Sequence, residues 1–174
     1  MMMQMLHAGG VPIVTDRNRQ ADEDNPRGYF EDERVKRLDK DASWVAEADG
    51  QAVKVISQLL FNLPPDHEYK LLFMEREVKE VLRSQKAMLE RRGEKGADVP
   101  EEKLAEVFEK HLKKVREWLK GQSNFKALFI PYAEVIDDPL PTAESVAKFL
   151  GIPLDIQAMA GVVDPNLYRN REVK

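Results

Sequence analysis

The 174-residue chain contains no cysteine. Disulfides, thiolate zinc sites and cysteine nucleophiles are excluded together, and a reducing, cytoplasmic setting is the expectation. Long apolar runs are missing as well. None approaches the roughly 20 residues that cross a bilayer, so no membrane span is expected. The apolar stretch Met1–Leu6 has no basic residues before it and no small-residue cleavage site after it, which makes it a poor secretory signal. Histidine is scarce: His7, His67 and His111 stand far apart and lack the helical pairing of a zinc motif. They read as structural or surface residues, and no metal is expected. A surplus of positive charge is also absent. The net charge of −4 argues against a nucleic-acid partner, although a few local arginines can still bind phosphate inside an acidic protein.

What is present is ordinary for a globular domain. Hydrophobic residues make up 43% and charged ones 33%, which excludes disorder as the overall reading. The length suits one domain with a real core. Met1–Ala8 reads as the last turns of a helix closed by Gly9-Gly10 in a left-handed C-cap, and Pro12 forbids its continuation. Residues 15–31 form a polar connection with a turn at Asn25-Pro26-Arg27-Gly28. Asp32–Lys40 reads as a short helix, Asp49-Gly50 as a turn, and Ala52–Ile56 as a β-type run. Ser57–Leu63 is a short helix stopped by Pro64-Pro65.

Tyr69–Met74 is a continuous apolar run of strand length, as expected for a strand covered on both faces. Val78, Val81, Leu82, Met88 and Leu89 then recur at helical spacing up to Gly93. Asp98 and Glu101 suit a capping box opening a long helix, whose stripe includes Leu104, Val107, Val115 and Leu119. Ala127–Ile130 is a third apolar run, ended by Pro131 and Tyr132. Pro141 begins a helix through Leu150 capped by Gly151, and a last short helix spans Ile156–Ala160 before a basic tail. Strands alternating with helices imply a parallel sheet covered on both faces, here with three strands.

The chemistry centres on Arg76, directly after the apolar run at 69–74, and on Ser84 in the helix that follows. An arginine at the carboxyl end of a buried parallel strand points into the crevice where open α/β sheets bind ligands. A guanidinium supplies charge and a two-pronged donor, and a hydroxyl adds a directional bond; together they suit a phosphate monoester. A salt bridge from Arg76 to Glu75 or Glu80, with Ser84 merely solvated, accounts for the same spacing.

This strand-Arg-helix-Ser unit resembles the 3′-phosphate-binding element of sulfotransferases that use phosphoadenosine phosphosulfate (PAPS). The likeness extends along the chain. Ala21–Glu31 is similar to the segment after the first helix of bacterial sulfotransferase-like proteins, and Val53–Ser57 to their second core strand. Ile130–Val135 with Asp138-Pro139 resembles the family's Tyr-Glu-x-Leu and Asp-Pro stretch, and Phe149-Leu150-Gly151 the end of the next helix. The resemblance implies one sulfotransferase-like domain over 1–174, incomplete at its N-terminus. The implied fold is a three-layer α/β domain with a P-loop-type parallel sheet and helices on both faces, lacking the first strand and the P-loop. It also implies PAPS, or its product adenosine 3′,5′-bisphosphate, as nucleotide co-substrate, and a small-molecule or macromolecular acceptor bearing a hydroxyl or amine.

The family opens with a Pro-x-Ser-Gly-Thr-like loop whose backbone N–H groups and helix N-terminus hold the 5′-phosphosulfate. No such loop occurs in this sequence, and a truncated, inactive or weak transferase is therefore expected. Many relatives carry Lys-Thr-His at the end of the second strand; here the stretch is Lys54-Val55-Ile56, with no histidine base. By resemblance Glu31 is the candidate base and Lys54 the residue stabilising charge on the bridging oxygen, against a surface carboxylate and a buried ion pair. Arg169 and Arg171 correspond to a basic lid over the 3′-phosphate, or to a frayed tail. An unpaired sheet centre implies a homo-oligomer. Two other classes remain open: a non-catalytic self-associating interaction domain, and a fragment of a nucleotide kinase-like P-loop enzyme.

Overall fold

The computed structural model of the chain describes residues 1–174 except 17, 19, 20, 23–27, 92, 95, 97, 98 and 168–174. The order is α1 (Met2–Ala8), β1 (Tyr69–Glu75), α2 (Val78–Arg91), α3 (Glu101–Lys120), β2 (Phe125–Pro131), α4 (Tyr132–Asp137), α5 (Pro139–Leu150) and α6 (Ile156–Gly161). Short 3₁₀ turns at Glu33–Arg37, Ser43–Ala48 and Ser57–Asn62 carry the chain from α1 to β1.

The apolar runs at 69–74 and 127–130 become β1 and β2, which pair in parallel with Tyr69 opposite Phe125 and Glu75 opposite Pro131. Because strand side chains alternate, the two strands divide their apolar residues between two cores. Leu72, Met74, Leu128 and Ile130 pack with Met5, Val146 and Met159 from α1, α5 and α6. Leu71, Phe73, Ala127 and Phe129 pack on the other face with Val115 and Leu119 of α3. The domain is thus mixed α/β, with helices covering both faces of a small parallel sheet. A satellite core of Val14, Val35, Leu38 and Trp44 lies under the 3₁₀ segments.

Several details expected from the sequence are corrected. Ala52–Ile56 is not a strand: Ala52 makes a single parallel bridge to Ile13, and residues 53–56 make no ladder. Among the described residues the sheet therefore has two strands rather than three. A β-prone run becomes a strand only when a neighbour takes its backbone hydrogen bonds. Between this extended segment and β1 lies a cleft of about 1590 Å³, walled by both.

The Gly9-Gly10 pair closes α1 as expected, with Gly9 right-handed (φ −74°) and Gly10 taking the positive φ of 98°. A second reason for glycine at position 9 is close approach: a Cβ there would stand 2.6 Å from Met159 Cγ. α5 begins at Pro139 rather than Pro141, because the Asp138 carboxylate accepts from Leu140 N–H and Pro139 suits the first helical position. Its end at Gly151, with φ 66°, is left-handed as expected. α3 begins at Glu101 after Pro100; Asp98 of the expected capping box lies outside the described residues, as does the turn at 25–27.

Candidate functional site

The C-terminal ends of β1 and β2 lie side by side because Glu75 pairs in register with Pro131. Arg76 and Tyr132 are the next residues on each strand, and they meet: the Arg76 guanidinium carbon sits 4.9 Å from the centroid of the Tyr132 ring. Glu80, in the first turn of α2, accepts from Arg76 Nε at 3.0 Å. Its side chain is only 4% exposed against 22% for Arg76, so the ion pair is largely removed from water. Ser84 is half-buried one turn further on the same face of α2. Arg76, Glu80 and Ser84 thus rise in one row from the strand end. Arg76 and Tyr132 line the cleft described above.

Of the two acidic partners open to Arg76 from the sequence, the structure selects Glu80; Glu75 pairs instead with Arg116 of α3. Burial pushes the Tyr132 hydroxyl above its ordinary pKa, the Arg76 charge opposing this shift and Glu80 adding to it. Tyr132 therefore stays neutral at physiological pH and adds no negative charge beside the guanidinium.

A second group forms around Lys54. Lys54 Nζ donates to Glu31 Oε1 at 2.8 Å and to the Tyr29 carbonyl at 3.3 Å. Glu31 and Lys54 were singled out from separate parts of the sequence, and the fold brings them together. Phe30 between Tyr29 and Glu31 takes φ 51°, an uncommon conformation for a residue with a side chain. That local bend turns both the Tyr29 carbonyl and the Glu31 carboxylate toward one ammonium. Lys54, Tyr29 and Arg76 line the same cleft. Arg169 and Arg171 lie outside the described residues.

A family model described as the sulfotransferase domain matches residues 63–169, more than half of the chain. The chain belongs to the sulfotransferase family. No curated protein and no solved structure matches it significantly. The matched span of this sulfotransferase domain takes in both strands, Arg76, Glu80, Ser84, Tyr132 and Arg169, whereas Glu31 and Lys54 precede it.

Two contacts escaped the sequence. Tyr132 was visible only as the end of an apolar run; its role beside Arg76 needs the strand register. Ser57 Oγ and His111 Nε2 lie 2.9 Å apart, with His111 edge-on to Phe61. They are separated by 54 positions, and no local spacing announces that pairing. Among the described residues no group of three or more His, Asp or Glu side chains converges to hold a metal, and no helix is long and apolar enough to cross a membrane.

Proposed function

We propose that this sulfotransferase domain binds a 3′-phosphoadenosine nucleotide at the strand ends, and that its chemistry is transfer of a sulfuryl group from PAPS to a hydroxyl or amine. The observation that carries the reading is the placement of Arg76 and Ser84 in one row beyond the carboxyl end of β1, beside the cleft. A half-buried guanidinium with a hydroxyl above it suits a phosphate monoester better than a carboxylic or apolar ligand. When bound, PAPS supplies an activated sulfuryl group. The protein's part is to position it and neutralise its charge.

In this reading Glu31 accepts a proton from the acceptor and Lys54, which lines the cleft, steadies negative charge near the transferred group. Arg169 and Arg171 are assigned to the 3′-phosphate by resemblance. The 174 residues contain no glycine-rich cradle for the 5′-phosphosulfate, so turnover by these residues alone is expected to be slow even where the nucleotide binds. The underlying architecture is that of a P-loop-type sheet. Calorimetric titration with adenosine 3′,5′-bisphosphate tests the reading: wild type binds, and Arg76→Ala loses about 1.5–3 kcal/mol of affinity. Equal binding by both proteins removes Arg76 from the site.

We also propose self-association. The observation favouring it is that β1, among the described residues, pairs only with β2 and turns its other edge to the cleft. An open strand edge beside apolar side chains is a template for another chain.

A further inference from the structure

We propose that Glu80 is a positioning residue: it holds the Arg76 guanidinium in the orientation that selects a nucleotide carrying a 3′-phosphate. The inference rests on the nucleotide reading above and extends it, because it assigns the selectivity to a side chain that touches Arg76 rather than the ligand.

An arginine is a long side chain with many rotamers, and freezing it when an anion arrives works against binding. A site gains affinity when that ordering is done beforehand. Arg76 is anchored in advance from three elements. Its backbone follows the last residue of β1. Its Nε–H is committed to Glu80 in the first turn of α2, at 3.0 Å. Its plane is covered by Tyr132 at the start of α4, with 4.9 Å from the guanidinium carbon to the ring centroid.

Glu80 is the strongest of these anchors, because its side chain is only 4% exposed. A carboxylate so far from water needs its counter-ion, so separating the pair leaves a buried charge uncompensated. Arg76 is therefore held in place by Glu80's own requirement. With Nε directed at Glu80 and one face against Tyr132, a phosphate meets a guanidinium edge whose direction is already set. A 5′-monophosphate lacks the group this edge would read.

Glu80 gives Arg76 both a counter-charge and an oxygen acceptor, and it is the acceptor that fixes the direction of Nε. Glu80→Gln keeps such an acceptor at nearly the same volume, while Glu80→Met keeps the volume without it. Wild type and both variants are titrated by calorimetry with adenosine 3′,5′-bisphosphate and with adenosine 5′-monophosphate, and their thermal melts are recorded. The Gln variant retains bisphosphate affinity within about threefold, and the Met variant loses about tenfold or more. Monophosphate affinity is unchanged in both. Equal bisphosphate affinity in the Gln and Met variants overturns the proposal, as does a parallel loss of both nucleotides in the Met variant. Should the Met variant fail to melt cooperatively, Glu80→Ala is read against the same Gln variant. Absence of wild-type binding removes the nucleotide reading and this inference together. Binding that Arg76→Ala abolishes but neither Glu80 substitution alters removes the inference alone.

Discussion

Glu31 and Lys54, 23 positions apart, meet at 2.8 Å, with Lys54 lining the cleft. Their side chains are 28% and 38% exposed, so solvent screens the attraction. A pair of this kind contributes about 0–1 kcal/mol to stability. A double-mutant cycle with Glu31→Gln and Lys54→Ala, read by denaturant midpoints, is expected to give a coupling below about 1 kcal/mol. A much larger coupling would make the pair a structural strut and weaken its assignment to chemistry.

Gly9→Ala tests the packing of α1 on α6. The added methyl group would meet Met159, which is fully buried. Overpacking of this kind costs about 1–3 kcal/mol. Thermal melts should show the loss for Gly9→Ala in wild type, and a smaller loss for the same substitution in a Met159→Ala background. An unchanged melting temperature for the single variant would mean that the helices part freely.

Asp32 sets an acid limb on stability. The Arg34 side-chain hydrogen bond holds its carboxyl below the usual range; burial opposes this, and the Arg34 backbone N–H adds to the lowering. The folded value is depressed, so the contribution is present above the unfolded value of about 3.9 and is lost as pH falls through the folded value. Denaturant midpoints of wild type should fall below about pH 4, while those of Asp32→Asn fall less. Parallel curves for the two proteins would remove Asp32 from the acid response.

Much of the fold is legible in the residues themselves. Leu71 to Met74 and Ala127 to Ile130 are apolar without alternation, which is the mark of strands buried on both faces, and both faces are buried. Gly151 and Asp138 bound α5 through local backbone chemistry alone. Ala52–Ile56 misleads because strand formation depends on a partner edge that no local pattern encodes. The second reason for glycine at position 9 lies in Met159, 150 positions away in sequence, and no local pattern shows it. At the site, Arg76 and Ser84 follow from strand-then-helix order, and Glu80 was open as an alternative partner by its spacing of four. Tyr132 needs the β1–β2 register, which only the assembled sheet supplies.

The open edge of β1 predicts assembly. Light scattering at micromolar concentration is expected to give a mass above that of the 20.0 kDa chain, falling on dilution. A clean monomer with a cooperative melt would show that the edge is satisfied within one chain.

The central claim is that the row from Arg76 to Ser84 reads a 3′-phosphate. The most direct measurement is the ratio of wild-type affinities for adenosine 3′,5′-bisphosphate and adenosine 5′-monophosphate, taken by calorimetry at one ionic strength. One charge-assisted contact is worth about 1.5–3 kcal/mol, so the bisphosphate should bind about tenfold or more tightly, and Arg76→Ala should bring the ratio near one. A wild-type ratio already near one would contradict the account.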